Sequence, residues 1–238
     1  MSDSSRPPER CPLPVIQTWG PHSFLPAPES LVRSALTVAF EEKAGLVVIT
    51  IHEAQGKVAW CELTAPQALS LGKTIPAQLV AAAASLSTED IVTETHHPQV
   101  GSVGLPFVFA ELRDRSTLGR ARAHFSGFEA LRAEDVRPSL YLYAHATDGF
   151  DIRARMFAPL SGVPEDPATG SANCALGGLL AHYDGRPTGS FTWRIAQGVE
   201  MGRPSTLMAR VEKKAGVVKG TWVGGAAVLV SEGILHLD

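Results

Sequence analysis

Residues 165–171 place acidic, hydroxyl and glycine residues directly before an apolar segment. Glu165 and Asp166 come first, and Gly170 and Ser171 stand at the end of the stretch. Glycine permits backbone conformations that other residues rarely adopt, and serine is a common helix N-cap. The amides of a first helical turn have no acceptor inside the helix and carry the positive end of the helix dipole. We therefore predict that Ser171 caps a helix whose start can bind a carboxylate or a phosphate.

The acid beside this turn suggests proton transfer. A bound anion disfavours the ionised form of a neighbouring carboxylic acid, which can then donate a proton near neutral pH. Asp166 is the candidate for this role. The same residues also suit an ordinary capped helix, with Asp166 or Ser171 as the cap and no ligand. A P-loop is excluded, because GxxxxGK[ST] is absent and no lysine follows Gly170.

The segment after the turn predicts a buried helix over residues 171–183. Two adjacent glycines, Gly177 and Gly178, lie inside it, and each costs about 1 kcal/mol relative to alanine in a helix. Their presence suggests that another backbone packs closely there. The apolar residues follow the spacing i, i+3, i+4, i+7: Leu176, Leu179, Leu180 and Tyr183.

Most other apolar runs predict strands. Residues 46–51 and 57–63 read as a β-hairpin, residues 78–84 as a helix after Pro76, and residues 29–40 as a short amphipathic helix. A buried helix surrounded by strands gives an α+β fold class. Further strands are predicted at 106–112, 140–145, 152–157, 191–195, 207–211, 217–223 and 227–230.

Three segments resemble one known family. Residues 165–173, EDPATGSAN, resemble the EDPxTGSA signature of the PhzF family of phenazine biosynthesis-like isomerases. Residues 197–205 resemble its QGxxxGRPS stretch, and residues 223–233 resemble its closing VGGxAVxVxxG strand. The likeness extends over roughly residues 36–238.

The resemblance implies a fold like diaminopimelate epimerase, in which two similar lobes each curl a sheet around a central helix. The ligand of such a fold lies between the N-termini of the two helices. We expect an irregular, proline-rich leader over 1–28 and an incomplete first lobe over 29–97, completed by the C-terminal strand 231–238. The second lobe would cover 98–230.

The resemblance also implies a cofactor-independent isomerase that moves a proton within a small carboxylate substrate. Asp166 and Ser171 match catalytic positions of the family. Family members are often homodimers, so a homodimer is expected. The residues expected to bind substrate are Thr169, Gly170, Ala172 and Arg203.

The sequence departs from the family near its start. Family members carry an N-terminal (S/N)ET-type motif, whose glutamate is the principal acid/base, and a GHPT-type turn. Neither matches this sequence. The expected isomerase is therefore impaired by the loss of an acid/base, and a non-catalytic carboxylate-binding remnant of the family is the alternative.

Cysteine and histidine offer weaker alternatives. Cys174 follows Ser171 by three residues, near the predicted helix N-terminus, which would lower the pKa of its thiol. An amino-acid epimerase that uses this thiol is therefore a third hypothesis. The alternative for Cys174 is a thiol packed in the core. A racemase needs a second, opposed thiol, and Cys61 reads as a strand residue. His96 and His97 are adjacent, so they would point to opposite faces of a strand; we expect a surface linker and no metal site.

Composition excludes several function classes. Hydrophobic residues make up 45% of the 238 residues and charged residues 19%, which suits a sizeable core. A net charge of −3 gives no reason to expect a nucleic-acid partner. No apolar run reaches the roughly 18 residues that span a bilayer, and no secretory segment is visible. Three cysteines without a CxxC pair suit a reducing compartment, so we expect a cytoplasmic protein.

Overall fold

A single mixed sheet dominates residues 32–54 and 57–226, the part of the chain that the computed structural model describes. Its strands are β1 Val32–Glu42, β2 Gly45–Ala54, β3 Lys57–Thr64, β4 Ser70–Thr74, β5 Ile91–Val92, β6 Gln99–Ser102, β7 Pro106–Leu112, β8 Leu140–His145, β9 Ile152–Ala158, β10 Val163–Asp166, β11 Gly189–Gln197, β12 Ser205–Lys214 and β13 Val217–Gly225. The helices are α1 Ala77–Ala84, α2 Arg115–Arg120, α3 Phe125–Ala133 and α4 Gly170–Tyr183.

The strands follow the order β1-β2-β3-β13-β12-β11-β9-β8-β7-β6-β4, with β10 beside β9 and β5 beside β7. Neighbouring strands in this described part are antiparallel, except that β7 pairs with β8 and β9 pairs with β11 in parallel. The mixed sheet with few helices confirms the predicted α+β class.

The middle of the sheet lies between two layers of helix. Phe109 on β7 and Tyr141 on β8 pack in the same core as α4. Their neighbours in sequence, Val108 and Leu142, pack in a second core with residues of α1 and α3. Because these strands are buried on both faces, they appear in the sequence as continuous apolar runs.

Helix α4 is the buried central helix that its spacing predicts. It packs against β11, β12 and β13 on one side and β6 and β7 on the other. A Cβ at Gly177 would lie 3.2 Å from Val211 Cγ2, and one at Gly178 would lie 3.1 Å from Leu69 Cδ1. The two glycines therefore admit neighbouring side chains, and not a neighbouring backbone as predicted.

The first predicted helix is wrong. Residues 32–42 form β1, which pairs antiparallel with β2. Leu36, Val38 and Phe40 alternate with period two as well as fitting a helical spacing, and the long partner strand decides between the two. The hairpin β2–β3 and the helix after Pro76 are confirmed.

Several predictions lie outside the described residues: the leader 1–28 and the strands 227–230 and 231–238. The division into lobes at 29–97 and 98–230 stays a prediction. Along the described ranges, no helix is both long and apolar enough to cross a membrane.

Candidate functional site

Strand β10 sends its two acidic residues to opposite sides of the sheet. Asp166 pairs with Met156 of β9, whose side chain faces α4. Glu165 points the other way, toward α2, because successive residues of a strand alternate faces. Its two carboxylate oxygens accept hydrogen bonds from Arg155 Nε and Nη2, both at 2.8 Å. The two carboxyl groups that stand together in the sequence are thus separated by the sheet.

Arg155 makes Glu165 a structural residue. Its guanidinium also donates to the carbonyl oxygens of Leu118 at 3.1 Å and Ala121 at 2.8 Å, which end α2. The side chains of Arg155 and Glu165 are only 4% and 13% exposed. This buried ion pair joins β9, β10 and α2, and it leaves Asp166 as the acid on the α4 side.

Helix α4 begins one residue before the predicted position. Thr169, and not Ser171, is the N-cap, and the first intrahelical bond runs from Asn173 N to Thr169 O at 3.0 Å. The Thr169 hydroxyl does not cap the helix, because it donates to Asp166 Oδ2 at 2.7 Å. Ser171 is half-buried in the first turn. Neither of the caps considered from the sequence, Asp166 or Ser171, fills that role.

The start of α4 presents unpaired donors. Within the described residues, the backbone amides of Gly170, Ser171 and Ala172 have no hydrogen-bond acceptor. No basic or acidic side chain of the first turn occupies them. The helix dipole adds positive potential at the same place, so the arrangement is suited to a carboxylate or another small anion.

A buried glutamine that sequence reasoning did not single out organises the turn. Gln197, the last residue of β11, is fully buried. Its Nε2 donates to Asp166 O at 2.7 Å and to Thr169 Oγ1 at 2.9 Å. Its Oε1 accepts from Thr169 N at 3.2 Å. The available signal was a polar side chain at the end of an apolar strand, within the stretch that resembles QGxxxGRPS.

Two further buried residues complete the network. Asn173 donates through Nδ2 to Thr169 O and to Gln197 Oε1, both at 2.8 Å. Tyr141 donates its hydroxyl hydrogen to Asn173 Oδ1 at 2.7 Å. Burial raises the pKa of Tyr141 well above its usual value, so the phenol remains a donor.

The loop between β11 and β12 packs on the same turn. Gly198 has φ +76°, and a Cβ there would clash with Arg203 O and lie 2.8 Å from Pro167 O. Arg203 N closes the loop on Gly198 O at 2.9 Å. Arg203, predicted to bind substrate, is thereby held in a loop beside the α4 turn, with its side chain half-exposed.

The thiol mechanism has little support from the geometry. Cys174 is almost fully buried, and this burial raises the pKa of its thiol to about 12. Desolvation, the largest cause of this rise, acts in the direction opposite to the lowering that a thiol mechanism needs. Burial also raises the pKa of Cys61, which lies in β3 as predicted. The packed core thiol is the better description of Cys174.

The predicted surface linker is confirmed for His97, which is exposed between β5 and β6, but not for His96. His96 is buried, and its Nε2 lies 2.6 Å from Tyr143 Oη. Its Nδ1 lies 2.7 Å from His97 O. Burial lowers the pKa of His96. Over the described ranges, no group of three or more His, Cys, Asp or Glu side chains is arranged to hold a metal ion.

Comparison with known proteins identifies relatives by sequence. Trans-2,3-dihydro-3-hydroxyanthranilate isomerase of Pseudomonas aeruginosa is 34% identical over 198 residues, covering 83% of this chain and 66% of that protein. An uncharacterised isomerase of Mesorhizobium japonicum is 32% identical over 165 residues, covering 67% of this chain and 55% of that protein. The chain thus spans between about half and two thirds of the length of these curated relatives.

Solved structures show the same fold. A PhzF family protein of Bacillus anthracis matches with a TM-score of 0.71 at 20% identity, covering 84% of this chain and 69% of that one. A predicted epimerase of Pseudomonas aeruginosa matches with a TM-score of 0.61 at 27% identity, covering 83% and 68%. The family model described as phenazine biosynthesis-like protein, PhzC-PhzF, matches residues 20–233. The chain belongs to the PhzC-PhzF family of phenazine biosynthesis-like proteins.

Proposed function

We propose that this chain is a cofactor-independent isomerase that moves a proton within a small carboxylate substrate. One observation carries the proposal: the unpaired amides of Gly170, Ser171 and Ala172 lie next to a turn that holds Asp166 by its backbone and by one carboxylate oxygen. An anion site and an acid are two of the groups that such a reaction uses. The names of the curated relatives support the same reaction class.

In the proposed reaction the three amides bind the substrate carboxylate, and Asp166 orients the substrate or protonates it. The Asp166 carboxylate accepts the proton that leaves one carbon and, once protonated, returns it to another carbon of the same molecule, so the reaction consumes no net proton and no oxidant. Ser171 adds a hydroxyl at the edge of the anion site, and Arg203 steers the anion toward it. General acid–base groups of this kind contribute about a hundredfold to ten-thousandfold in rate.

A carboxylate-binding protein without catalysis is the second candidate. The observation that favours it is the geometry of the turn: of its two acids, Glu165 is bound by Arg155 on the far side of the sheet, which leaves Asp166 alone of the two to move a proton. Both candidates share the anion site and differ in proton transfer. The thiol-based epimerase is not proposed, because burial raises the pKa of Cys174 to about 12.

Incubation with trans-2,3-dihydro-3-hydroxyanthranilate in D2O distinguishes the two candidates. The isomerase incorporates deuterium at a substrate carbon, measured by NMR and mass spectrometry, and Asp166→Asn lowers that rate at least a hundredfold. A protein that binds the compound without any exchange is the non-catalytic relative. A protein that neither binds nor exchanges it contradicts the proposed substrate.

A backbone variant tests the anion site separately. Gly170→Pro removes one amide donor, and proline is tolerated at the first position of a helix. The matched control is Gly170→Ala, since a Cβ there would lie at an ordinary 3.6 Å from Val223 Cγ1. Loss of a hydrogen bond to a charged group costs about 1.5–3 kcal/mol. We expect the Kd for 3-hydroxyanthranilate to rise about tenfold or more in the proline variant alone.

We also propose that the protein acts as a homodimer, as the family resemblance suggests. Size-exclusion chromatography with light scattering measures this directly. A mass near twice 25.3 kDa supports the dimer, and a mass near 25.3 kDa contradicts it.

A further inference from the structure

The buried network behind the site fixes the direction of its own hydrogen bonds. We propose that Gln197 is a positioning residue that, through Thr169, leaves only the Oδ1 oxygen of Asp166 to exchange a proton with the ligand. The inference rests on the proposed function of Asp166. It gives the Thr169 hydroxyl, expected from the resemblance to bind substrate, a positioning role instead, because that hydroxyl is already bonded to Asp166 and Gln197.

Backbone groups determine the orientation of the Gln197 amide. Asp166 O can only accept, so the group 2.7 Å from it must be Nε2. Thr169 N can only donate, so the group 3.2 Å from it must be Oε1. In a reversed amide, Oε1 would face the acceptor Asp166 O and Nε2 would face the donor Thr169 N, and both pairs would be buried without a hydrogen bond.

Asn173 reinforces this orientation. Its Nδ2 lies 2.8 Å from Thr169 O, another backbone acceptor, so its amide is also fixed. The second Nδ2 hydrogen is directed to Gln197 Oε1 at 2.8 Å. Asn173 Oδ1 accepts from Tyr141 at 2.7 Å. Both amides therefore use all four of their hydrogens, and neither can rotate without losing buried hydrogen bonds.

The Thr169 hydroxyl links the oriented Gln197 amide to Asp166. The remaining Gln197 hydrogen is directed to Thr169 Oγ1 at 2.9 Å. The single hydrogen of the Thr169 hydroxyl is then donated to Asp166 Oδ2 at 2.7 Å. This hydrogen bond occupies one lone pair of Oδ2 and stabilises its unprotonated form, so the proton is favoured on Oδ1. Oδ1 has no hydrogen-bond partner among the residues that the structure describes, and it is the oxygen left for a ligand.

Neutron diffraction from D2O-exchanged crystals tests the inference without any substrate. We expect the Thr169 deuterium to point at Asp166 Oδ2 and the Gln197 deuteriums to point at Asp166 O and Thr169 Oγ1. A reversed Gln197 amide, a Thr169 deuterium directed away from Asp166, or a deuterium bound to Oδ2 would overturn the proposal. Because the map requires no turnover, it decides the inference even if the proposed isomerase activity fails.

A matched pair of variants adds a functional readout. Thr169→Val keeps the shape but removes the hydroxyl, and Thr169→Ser restores it. We expect Thr169→Val to lower deuterium incorporation into trans-2,3-dihydro-3-hydroxyanthranilate at least tenfold, with the Kd for 3-hydroxyanthranilate changed less than threefold. Thr169→Ser should recover most of the lost rate. Equal rates in the two variants, or a parallel loss of binding, would assign Thr169 a structural role only.

Gln197→Glu tests whether the Gln197 amide orients the Thr169 hydroxyl toward Asp166. The carboxylate replaces both Nε2 donors with acceptors, so the Thr169 hydrogen turns toward residue 197 and Oδ2 loses its donor. We expect the turnover of Gln197→Glu to fall at least as far as that of Thr169→Val, whereas the double variant should be little worse than either single one. Additive losses would show that the two side chains act independently and would contradict the chain from Gln197 to Asp166.

Discussion

Removing the carboxylate of Glu165 is expected to cost about 3 kcal/mol of unfolding free energy. Glu165→Ala leaves the Arg155 guanidinium, 4% exposed, without its counter-charge. Breaking a buried ion pair from one side costs about 3–5 kcal/mol, because an uncompensated charge remains buried. The carbonyl oxygens of Leu118 and Ala121 still accept from Arg155, which places the cost at the lower end.

Equilibrium unfolding in urea, followed by tryptophan fluorescence, measures this cost. We expect a lower midpoint with an unchanged m-value, and a Tm lowered by about 6–12 °C. The matched control is Glu129→Ala, which removes a 2.6 Å ion pair with Arg132. The Glu129 side chain is 39% exposed and the Arg132 side chain is 61% exposed. An exposed pair contributes about 0–1 kcal/mol.

Comparing the destabilisation in the two variants shows whether the Glu165 ion pair is structural. If Glu165→Ala and Glu129→Ala destabilise the protein equally, Glu165 is not the structural partner described above. The double variant Arg155→Met/Glu165→Met adds a second check. It should cost less than the sum of the costs of Arg155→Met and Glu165→Met, because neither charge is then left buried without its partner.

Three further predictions concern groups outside this ion pair. Cys174 should react with iodoacetamide at pH 7.5 at least a hundredfold more slowly in the folded protein than in urea, measured by mass spectrometry, and equal rates would contradict its burial. Burial lowers the pKa of His96 below 6.5, so the unfolded chain binds this proton more readily, and stability falls as pH drops below about 6.5. His96→Gln should reduce that slope by up to about 1.4 kcal/mol per pH unit in urea titrations at several pH values, and an unchanged slope would contradict the assignment. Gly198→Ala should destabilise the protein by more than the about 1–3 kcal/mol that a positive φ costs, because its Cβ would also clash with the carbonyl oxygens of Arg203 and Pro167. Gly149→Ala, with φ +86° and no atom within 4 Å of its Cβ, measures the cost of φ alone, and equal losses in the two variants would contradict the contact.

Local pattern predicted the elements whose sequence fits one period only. The spacing of Leu176, Leu179 and Leu180 has no strand reading, and it locates α4 correctly. Residues 32–42 satisfy both periods, and the choice is made by pairing with β2, which spacing within the segment does not reveal. The spacing also predicted the helix better than its first residue: the N-cap is Thr169 and not the predicted Ser171.

The candidate site was predictable as a turn but not as a network. The segment around Asp166 is contiguous, so its glycine, hydroxyl and acidic residues are visible in the sequence. The opposite directions of Glu165 and Asp166 depend on the extended conformation of β10 and on its partner β9. Gln197 and Tyr141 reach the turn from other strands, and only the folded sheet brings their polar atoms within hydrogen-bond distance.

The most direct test of the proposed site is a crystal structure with 3-hydroxyanthranilate bound. We predict that its carboxylate oxygens lie within about 3.2 Å of the amide nitrogens of Gly170, Ser171 and Ala172. The rest of the molecule should lie toward Asp166 Oδ1. A ligand bound elsewhere, or a carboxylate that avoids these amides at saturating concentration, would contradict the assignment of the start of α4 as the functional site.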